Sequence, residues 1–302
     1  MKREKLEGLS LYMGIDTLQI KSKTAIEFDS EQYPFIKPDI VRKSDNKYSY
    51  YILNPDKANN GLGVYNSSDY YSTLAYMFDS INLEAPTKSR IDFRFDSFDD
   101  NYNELSKLNK LVILLLANEH EVKNRYESYD LLTQEALTMR IQTKYIEAEN
   151  YNKGLQEPKG EVKNRLEIRS KALQPMNNES IKEKTEFNKW CKRFNKAVTA
   201  DNFNSLILNI NNALVQRYKD WSKQKGHTIS NFITKYESCL FTSHQLENLL
   251  TLLNDNGLAN ISNCKESAKK YKKRYGLEFF SLNDLNIYKS KIIESGTGFF
   301  DM

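Results

Sequence analysis

Two segments of this chain alternate charged and apolar residues with period two: Arg90-Ile91-Asp92-Phe93-Arg94-Phe95-Asp96 and Arg165-Leu166-Glu167-Ile168-Arg169. That period sends successive side chains to opposite faces and predicts half-buried β-strands. Ile91, Phe93 and Phe95 share one face, as do Leu166 and Ile168. Asp92, Arg94 and Asp96 take the other face of the first strand, and Arg165, Glu167 and Arg169 that of the second. Further strands are predicted over 15–20, 48–53, 62–65 and 137–151. Asn54-Pro55-Asp56 and Asn59-Asn60-Gly61 supply turn signals between the early ones. Residues 68–81 read as a helix. A second helix is predicted over 102–120, where Leu105 and Leu108 lead into the run Leu111-Val112-Ile113-Leu114-Leu115-Leu116. The run is too short to span a bilayer, so it reads as a buried helix. This order of elements predicts an α+β fold, an antiparallel sheet with helices packed on one face.

Beyond the linker signal Gln174-Pro175-Met176-Asn177-Asn178-Glu179-Ser180, the 3.6-residue period takes over. Phe187, Trp190, Cys191 and Phe194 form one helical stripe. Phe203, Leu206, Ile207, Ile210, Leu214, Tyr218 and Trp221 form another. Thr242 and Gln245 make a capping box that opens a later helix, and Asn256-Gly257 closes it. Ser262 is expected to cap a helix over 263–275 that ends at Gly276. The sequence thus divides into an α+β region, residues 13–175, and a mainly helical region, residues 181–302.

The 302 residues allow one large or two ordinary domains, and 12% aromatic content is ample for a core. Nothing reads as a signal peptide, and no membrane partner is expected. Cys191, Cys239 and Cys264 lie far apart, which suits a reducing cytoplasm and suggests neither a disulfide frame nor a zinc knuckle. His120, His227 and His244 are isolated, so no histidine metal cluster is readable. Charge is uneven: residues 1–150 hold 19 Lys+Arg against 24 Asp+Glu, and residues 151–302 hold 25 against 16. The basic half hints at nucleic-acid contact. Its densest segment is the helix at 263–275, on which Lys269, Lys272 and Lys273 share one face. Helix, turn and basic helix is compatible with a DNA-reading helix-turn-helix, and a solvated lysine-rich face is the plain alternative.

Taken singly, charges along an amphipathic strand are ordinarily a solvated sheet face. Should the two strands be neighbours, three carboxylates and three guanidinium groups crowd one surface. Carboxylates need a compensating cation, and arginines suit phosphate oxygens. Between the two strands in sequence lies Tyr151-Asn152-Lys153. In order and content the three segments resemble the replication initiators of rolling-circle plasmids of Gram-positive bacteria. They are similar, more distantly, to the gene II nicking proteins of filamentous phages. Those families have an Arg-hydrophobe-Asp strand with acidic residues beyond it, a Tyr-x-Lys segment, and an Arg-hydrophobe-Glu strand. Gly14-Ile15-Asp16-Thr17-Leu18-Gln19-Ile20 resembles their first strand. The resemblance runs over residues 13–173 as anchor points.

The resemblance implies a metal-dependent DNA nickase and strand transferase. Tyr151 is then the nucleophile and Lys153 its cationic neighbour. Asp92, Asp96 and Glu167 are ligands for Mg²⁺ or Mn²⁺, with Glu147 and Glu149 as further ligands or proton acceptors. Arg94, Arg165 and Arg169, with the lysines at 269, 272 and 273, would contact origin DNA, duplex and single-stranded. The products would be a 5′-phosphotyrosyl link and a free 3′-OH for a host polymerase, with a host helicase unwinding behind. Related initiators act as dimers, so a homodimer is also implied. Two departures stand: the His-hydrophobe-His pair of many nickases is missing, and Met139-Arg140-Ile141-Gln142-Thr143-Lys144 replaces a Gly/Ser/Arg-rich stretch. Nineteen tyrosines leave a rival nucleophile, Tyr145, in the same strand phase as Tyr151. The alternative function is a non-enzymatic, sequence-specific DNA-binding initiator or regulator.

Overall fold

The computed structural model describes residues 6–23, 29, 31–38, 48–81, 86–99, 102–119, 138–142, 146–151, 162, 164–171, 173 and 182–301. Its strands are β1 (Tyr12–Ser22), β2 (Ile36–Pro38), β3 (Ser49–Leu53), β4 (Thr87–Ser97), β5 (Thr138–Gln142), β6 (Ile146–Tyr151) and β7 (Asn164–Lys171). Its helices are α1 (Pro55–Ala58), α2 (Ser67–Ile81), α3 (Tyr102–Glu119), α4 (Lys182–Ala197), α5 (Ala200–Trp221), α6 (Ile229–Lys235), α7 (Ser243–Asp255), α8 (Cys264–Tyr275) and α9 (Leu282–Asp301). The strands form one sheet in the order β2-β3-β1-β4-β7-β6-β5, with every pair antiparallel. This is the predicted α+β architecture with a helical C-terminal region.

One sheet face is apolar and bears the helices. Ile91, Phe93 and Phe95 of β4 and Leu166 and Ile168 of β7 are buried there. Phe187 of α4 meets the rings of Phe93 and Phe95 at 5.9 and 6.3 Å. Helix α3 lies between the sheet and helices α4, α5 and α9. Its run from Leu111 through Leu116 is buried all round for that reason. Helix α9 also packs on β1. The predicted division near 175–181 is therefore a change from sheet to helix, with α4 and α9 sharing the sheet's core. Among the described residues no helix is long and apolar enough to cross a membrane.

Two register shifts interrupt the β1–β4 ladder. Between Ile15 and Thr17 an extra residue lies on β1, so that Asp16 and Thr17 both serve the charged face. Near Gln19 the extra residue is on β4, which turns Lys88 to the helical side. There Lys88 pairs with Glu183 at 2.7 Å, and Tyr70 donates to the same carboxylate at 2.8 Å.

Four local expectations are corrected. Residues 62–65 form no strand, because the Val64 amide donates to the Asp56 carboxylate at 3.1 Å and not to a ladder. Over 137–151 two strands form, β5 and β6, paired as a hairpin, and Tyr145 lies outside the described residues. Strand β2 pairs with β3 and had no signal in the sequence. Asn263, not Ser262, caps α8, its side chain accepting from the Glu266 amide. The Thr242 cap of α7 and the left-handed Gly276 at the end of α8, φ 62°, are as predicted.

Candidate functional site

Strands β4 and β7 are neighbours, and their register aligns the charged residues into three rows. Asp96 faces Arg165, Arg94 faces Glu167, and Asp92 faces Arg169. Strand β6 extends the rows, with Tyr151 opposite Arg165, Glu149 opposite Glu167 and Glu147 opposite Arg169. On the far side β1 contributes Tyr12, Gly14 and Thr17 to the same rows. Tyr151 therefore ends the row that begins at Tyr12 and runs through Asp96 and Arg165.

The charged face is not solvated. Asp92, Arg94, Asp96 and Glu167 are each 2% exposed or less. Part of the cover is α1 and the segment 59–66. Arg94 places its guanidinium fork on Asp56, bonding Oδ2 with Nη1 and Oδ1 with Nη2 at 2.8 Å. The same guanidinium lies 5.0 Å from the Tyr65 ring centroid and 3.2 Å from Asp96 through Nε. Tyr65 donates to Asp96 at 3.0 Å. Burial, then the Asp96 charge, push the Tyr65 phenol above its ordinary range. Arg165 grips both Asp96 oxygens at 2.6 and 2.8 Å and reaches Asp16 at 2.7 Å.

A second group centres on Arg169. It contacts Glu167 at 2.5 Å, Glu147 at 2.6 Å, and both Glu149 and Asp92 at 3.5 Å. Asp92 also accepts a fork from Arg90, both bonds 2.9 Å, and the Thr17 hydroxyl at 2.5 Å. Lys171 pairs with Glu147. Burial works against the Arg169 charge, but Glu167, Asp92 and Glu147 outweigh it and hold the proton more firmly.

Among the described side chains of the face, seven carboxylates (Asp16, Asp56, Asp92, Asp96, Glu147, Glu149, Glu167) meet five cations (Arg90, Arg94, Arg165, Arg169, Lys171). Burial and mutual repulsion tell on the carboxylates. Burial, followed by repulsion from Asp16, pushes Glu167 up to about 8, with Asp92 adding to it. Burial raises Asp92 as well, against the pull of Arg90 and Arg169.

The predicted trio Asp92, Asp96 and Glu167 is thus on one face but not around one point. Asp92 and Asp96 are four residues apart on one strand, roughly 13 Å. Carboxylate ligands sit within about 2.6 Å of a hard cation, so a single ion cannot reach both. Asp96 is moreover taken up by Arg94, Arg165 and Tyr65. Among the described residues no three carboxylate, histidine or cysteine groups stand together as metal ligands, since guanidinium groups are interleaved. Asp92, Glu167 and Asp16 repel one another, but each is already held by an arginine: Arg90, Arg169 and Arg165 respectively.

Sequence reading missed Asp16, Thr17, Asp56 and Tyr65. The bulge at Asp16 has no signature that alternation can detect, and Asn54-Pro55-Asp56 read only as a turn. Gly14 carries a signal in hindsight. A Cβ there would come within 2.7 Å of the Val64 carbonyl and 2.8 Å of Arg94 Nε. Gly14→Ala should therefore lower the unfolding free energy by about 1–3 kcal/mol, measured by urea denaturation. An unchanged midpoint would mean that Arg94 is not confined there.

Lys153 lies outside the described residues. Lys269, Lys272 and Lys273 are exposed on α8, while Ala268 is buried. Lys269 pairs with Glu266 at 2.8 Å, and Lys272 lies 5.2 Å from the Phe279 ring centroid. Helix α8 packs on α7 and α6. The long α7–α8 connection is closed by Asn254, which donates to the Ile261 carbonyl at 2.7 Å and accepts from its amide at 3.0 Å.

No family model matches this chain, and no curated protein matches it. Among solved structures, a rolling circle replication initiator protein from Geobacillus stearothermophilus matches with a TM-score of 0.29 and 17% identity. The match covers 54% of this chain and 75% of that one.

Proposed function

We propose that this chain is a rolling-circle replication initiator that nicks origin DNA with Tyr151 and holds the cut strand covalently. The observation that supports it is the register that aligns Tyr151 with Arg165 and Asp96, two buried residues of the charged face. In the nicking step the Tyr151 phenolic oxygen attacks phosphorus, a phosphotyrosyl bond forms, and the P–O3′ bond breaks. The 3′ oxygen leaves as a hydroxyl, so one proton must pass to it from the phenol. In this reading Glu149, two residues before Tyr151, takes and returns that proton. Lys153 offsets charge at the phosphate. Asp92 and Glu167, with Asp16, are the residues that would hold Mg²⁺ or Mn²⁺. When bound, such an ion polarises the phosphodiester and favours departure of the 3′ oxygen. In this reading the free 3′ end primes a host polymerase, a host helicase unwinds the duplex, and a second copy of the chain supplies a second tyrosine.

Helix α8 is the proposed duplex grip. Replacing Lys269, Lys272 and Lys273 together by Ala should weaken duplex binding and lower the slope of log affinity against log salt by about one per lost phosphate contact. Nicking of a short single-stranded substrate should persist in that variant. An unaltered salt slope would make the lysines an ordinary solvated face.

A second reading has its own observation: every carboxylate of the face is closed by a cation, as a purely structural network would be. Here the chain binds its origin without cutting it. Incubation with supercoiled origin DNA and Mn²⁺, followed by a denaturing gel, separates the two. A protein–DNA adduct that survives denaturation requires the enzyme; intact supercoil with tight binding requires the binding protein.

A further inference from the structure

Behind the charged face lies a buried amide network that the nicking chemistry does not use. Asn109 of α3 donates both N–H bonds, to Asn150 of β6 at 2.8 Å and to Asn164 of β7 at 2.6 Å. Its carbonyl accepts the Tyr288 hydroxyl of α9 at 2.5 Å. Asn150 in turn donates to Ser106 at 3.0 Å. All five side chains are 3% exposed or less. A buried amide left without partners costs about 1–3 kcal/mol, so a core position gains little from holding one unless the geometry matters. Asn109 spends both donors and its acceptor on three different elements. Neither Asp, which lacks the donors, nor Leu, which lacks both, could replace it there.

The placement of the two strand amides is specific. Asn150 directly precedes Tyr151, and Asn164 directly precedes Arg165, while Tyr151 and Arg165 are register partners. Tyr151 is the last residue of β6. A strand end frays easily, and a slip of one residue would exchange the faces of the strand. Asn150 is tied to α3 on the helical side, so position 151 is held in phase with Glu149 on the charged side.

We propose that Asn109 and Asn150 are positioning residues, a clamp from α3 that fixes the register of the β6 end and so sets Tyr151 in the Asp96–Arg165 row. This rests on the reading of Tyr151 as nucleophile. The test uses the full chain with Asn150→Val and, separately, Tyr288→Phe. Valine suits a strand and removes the tie without a buried polar remnant of its own. The phenylalanine removes one hydroxyl only. Amide hydrogen exchange is followed over residues 147–151 beside single-turnover nicking of a short origin strand. Exchange at the β6 end should quicken in both variants by more than their loss of global stability accounts for. The nicking rate at saturating DNA should fall about 10- to 100-fold, the cost expected of a slightly misplaced reacting group, with half-saturation unchanged. Wild-type exchange in both variants overturns the clamp, and so does a rate that falls only in step with the folded fraction. A wild-type chain that makes no adduct defeats the nickase reading instead, and the exchange measurement still decides the clamp.

Discussion

Tyr151→Phe should abolish the covalent DNA adduct and lower nicking by at least about 10³-fold, because the step loses its only proposed nucleophile and not a helper. Origin binding should stay at the wild-type level, since the proposed duplex grip is on α8. The loss should also resist rescue by higher Mn²⁺: a phenyl ring has no oxygen for any cation to activate. The measurement is a denaturing gel of end-labelled origin strand, read beside a binding titration. Adduct formed at the wild-type rate would remove Tyr151 from the chemistry and turn attention to Tyr145. Lost binding together with lost nicking would mean that the hydroxyl is needed for the fold of the β6 end.

How much of this was legible in the chain depends on the range of the interactions involved. The period-two pattern of 90–96 and 165–169 gave both strands and which residues share a face, because a strand's phase is local. That the two strands are neighbours was only a condition there; the structure pairs β4 with β7, and Asp96 meets Arg165. What alternation could not give is that the charged face is covered. The cover depends on Asp56 and Tyr65, which come from a segment that looked like a turn followed by a strand. Leu62 and Val64 mimic strand alternation, yet their segment is held by the Asp56 side chain. Nor could sequence place the bulge that brings Asp16 to Arg165, since one extra residue in a ladder leaves no compositional trace. Alternation shows which carboxylates share a face but not how far apart they stand, and four residues of strand separate Asp92 from Asp96. On the helical side the stripes and the Thr242 cap were read from local signals, while the start of α8 lay one residue further on, at Asn263. Stop signals are local, as the Thr242 and Gly276 positions illustrate.

The largest stability effect should come from Arg94. It is fully buried, its fork is closed on Asp56, and Asp96, the Val64 carbonyl and the Tyr65 ring take the remaining contacts. Burial disfavours its charge, but Asp96 and Asp56 outweigh that and keep it protonated. Asp96 keeps Arg165 when Arg94 is removed, whereas Asp56 loses the partner that joins α1 to the sheet. Arg94→Met should therefore lower the unfolding free energy by about 3–5 kcal/mol, the range for breaking a buried pair from one side. Arg94→Lys should recover only part of this, because an ammonium cannot reproduce a two-bond fork on a carboxylate. The double variant Arg94→Met, Asp56→Asn should be more stable than Arg94→Met alone, since the stranded charge is gone along with its partner. Urea denaturation of the wild type, Arg94→Met, Asp56→Asn and the double variant completes the cycle, and the coupling should be on the order of 1–3 kcal/mol. Additive losses would mean that the Arg94–Asp56 fork does not hold the cover in solution. The 54–66 segment would then be free to leave the charged face, and Asp96 and Arg165 would be open to DNA without any further change in the sheet.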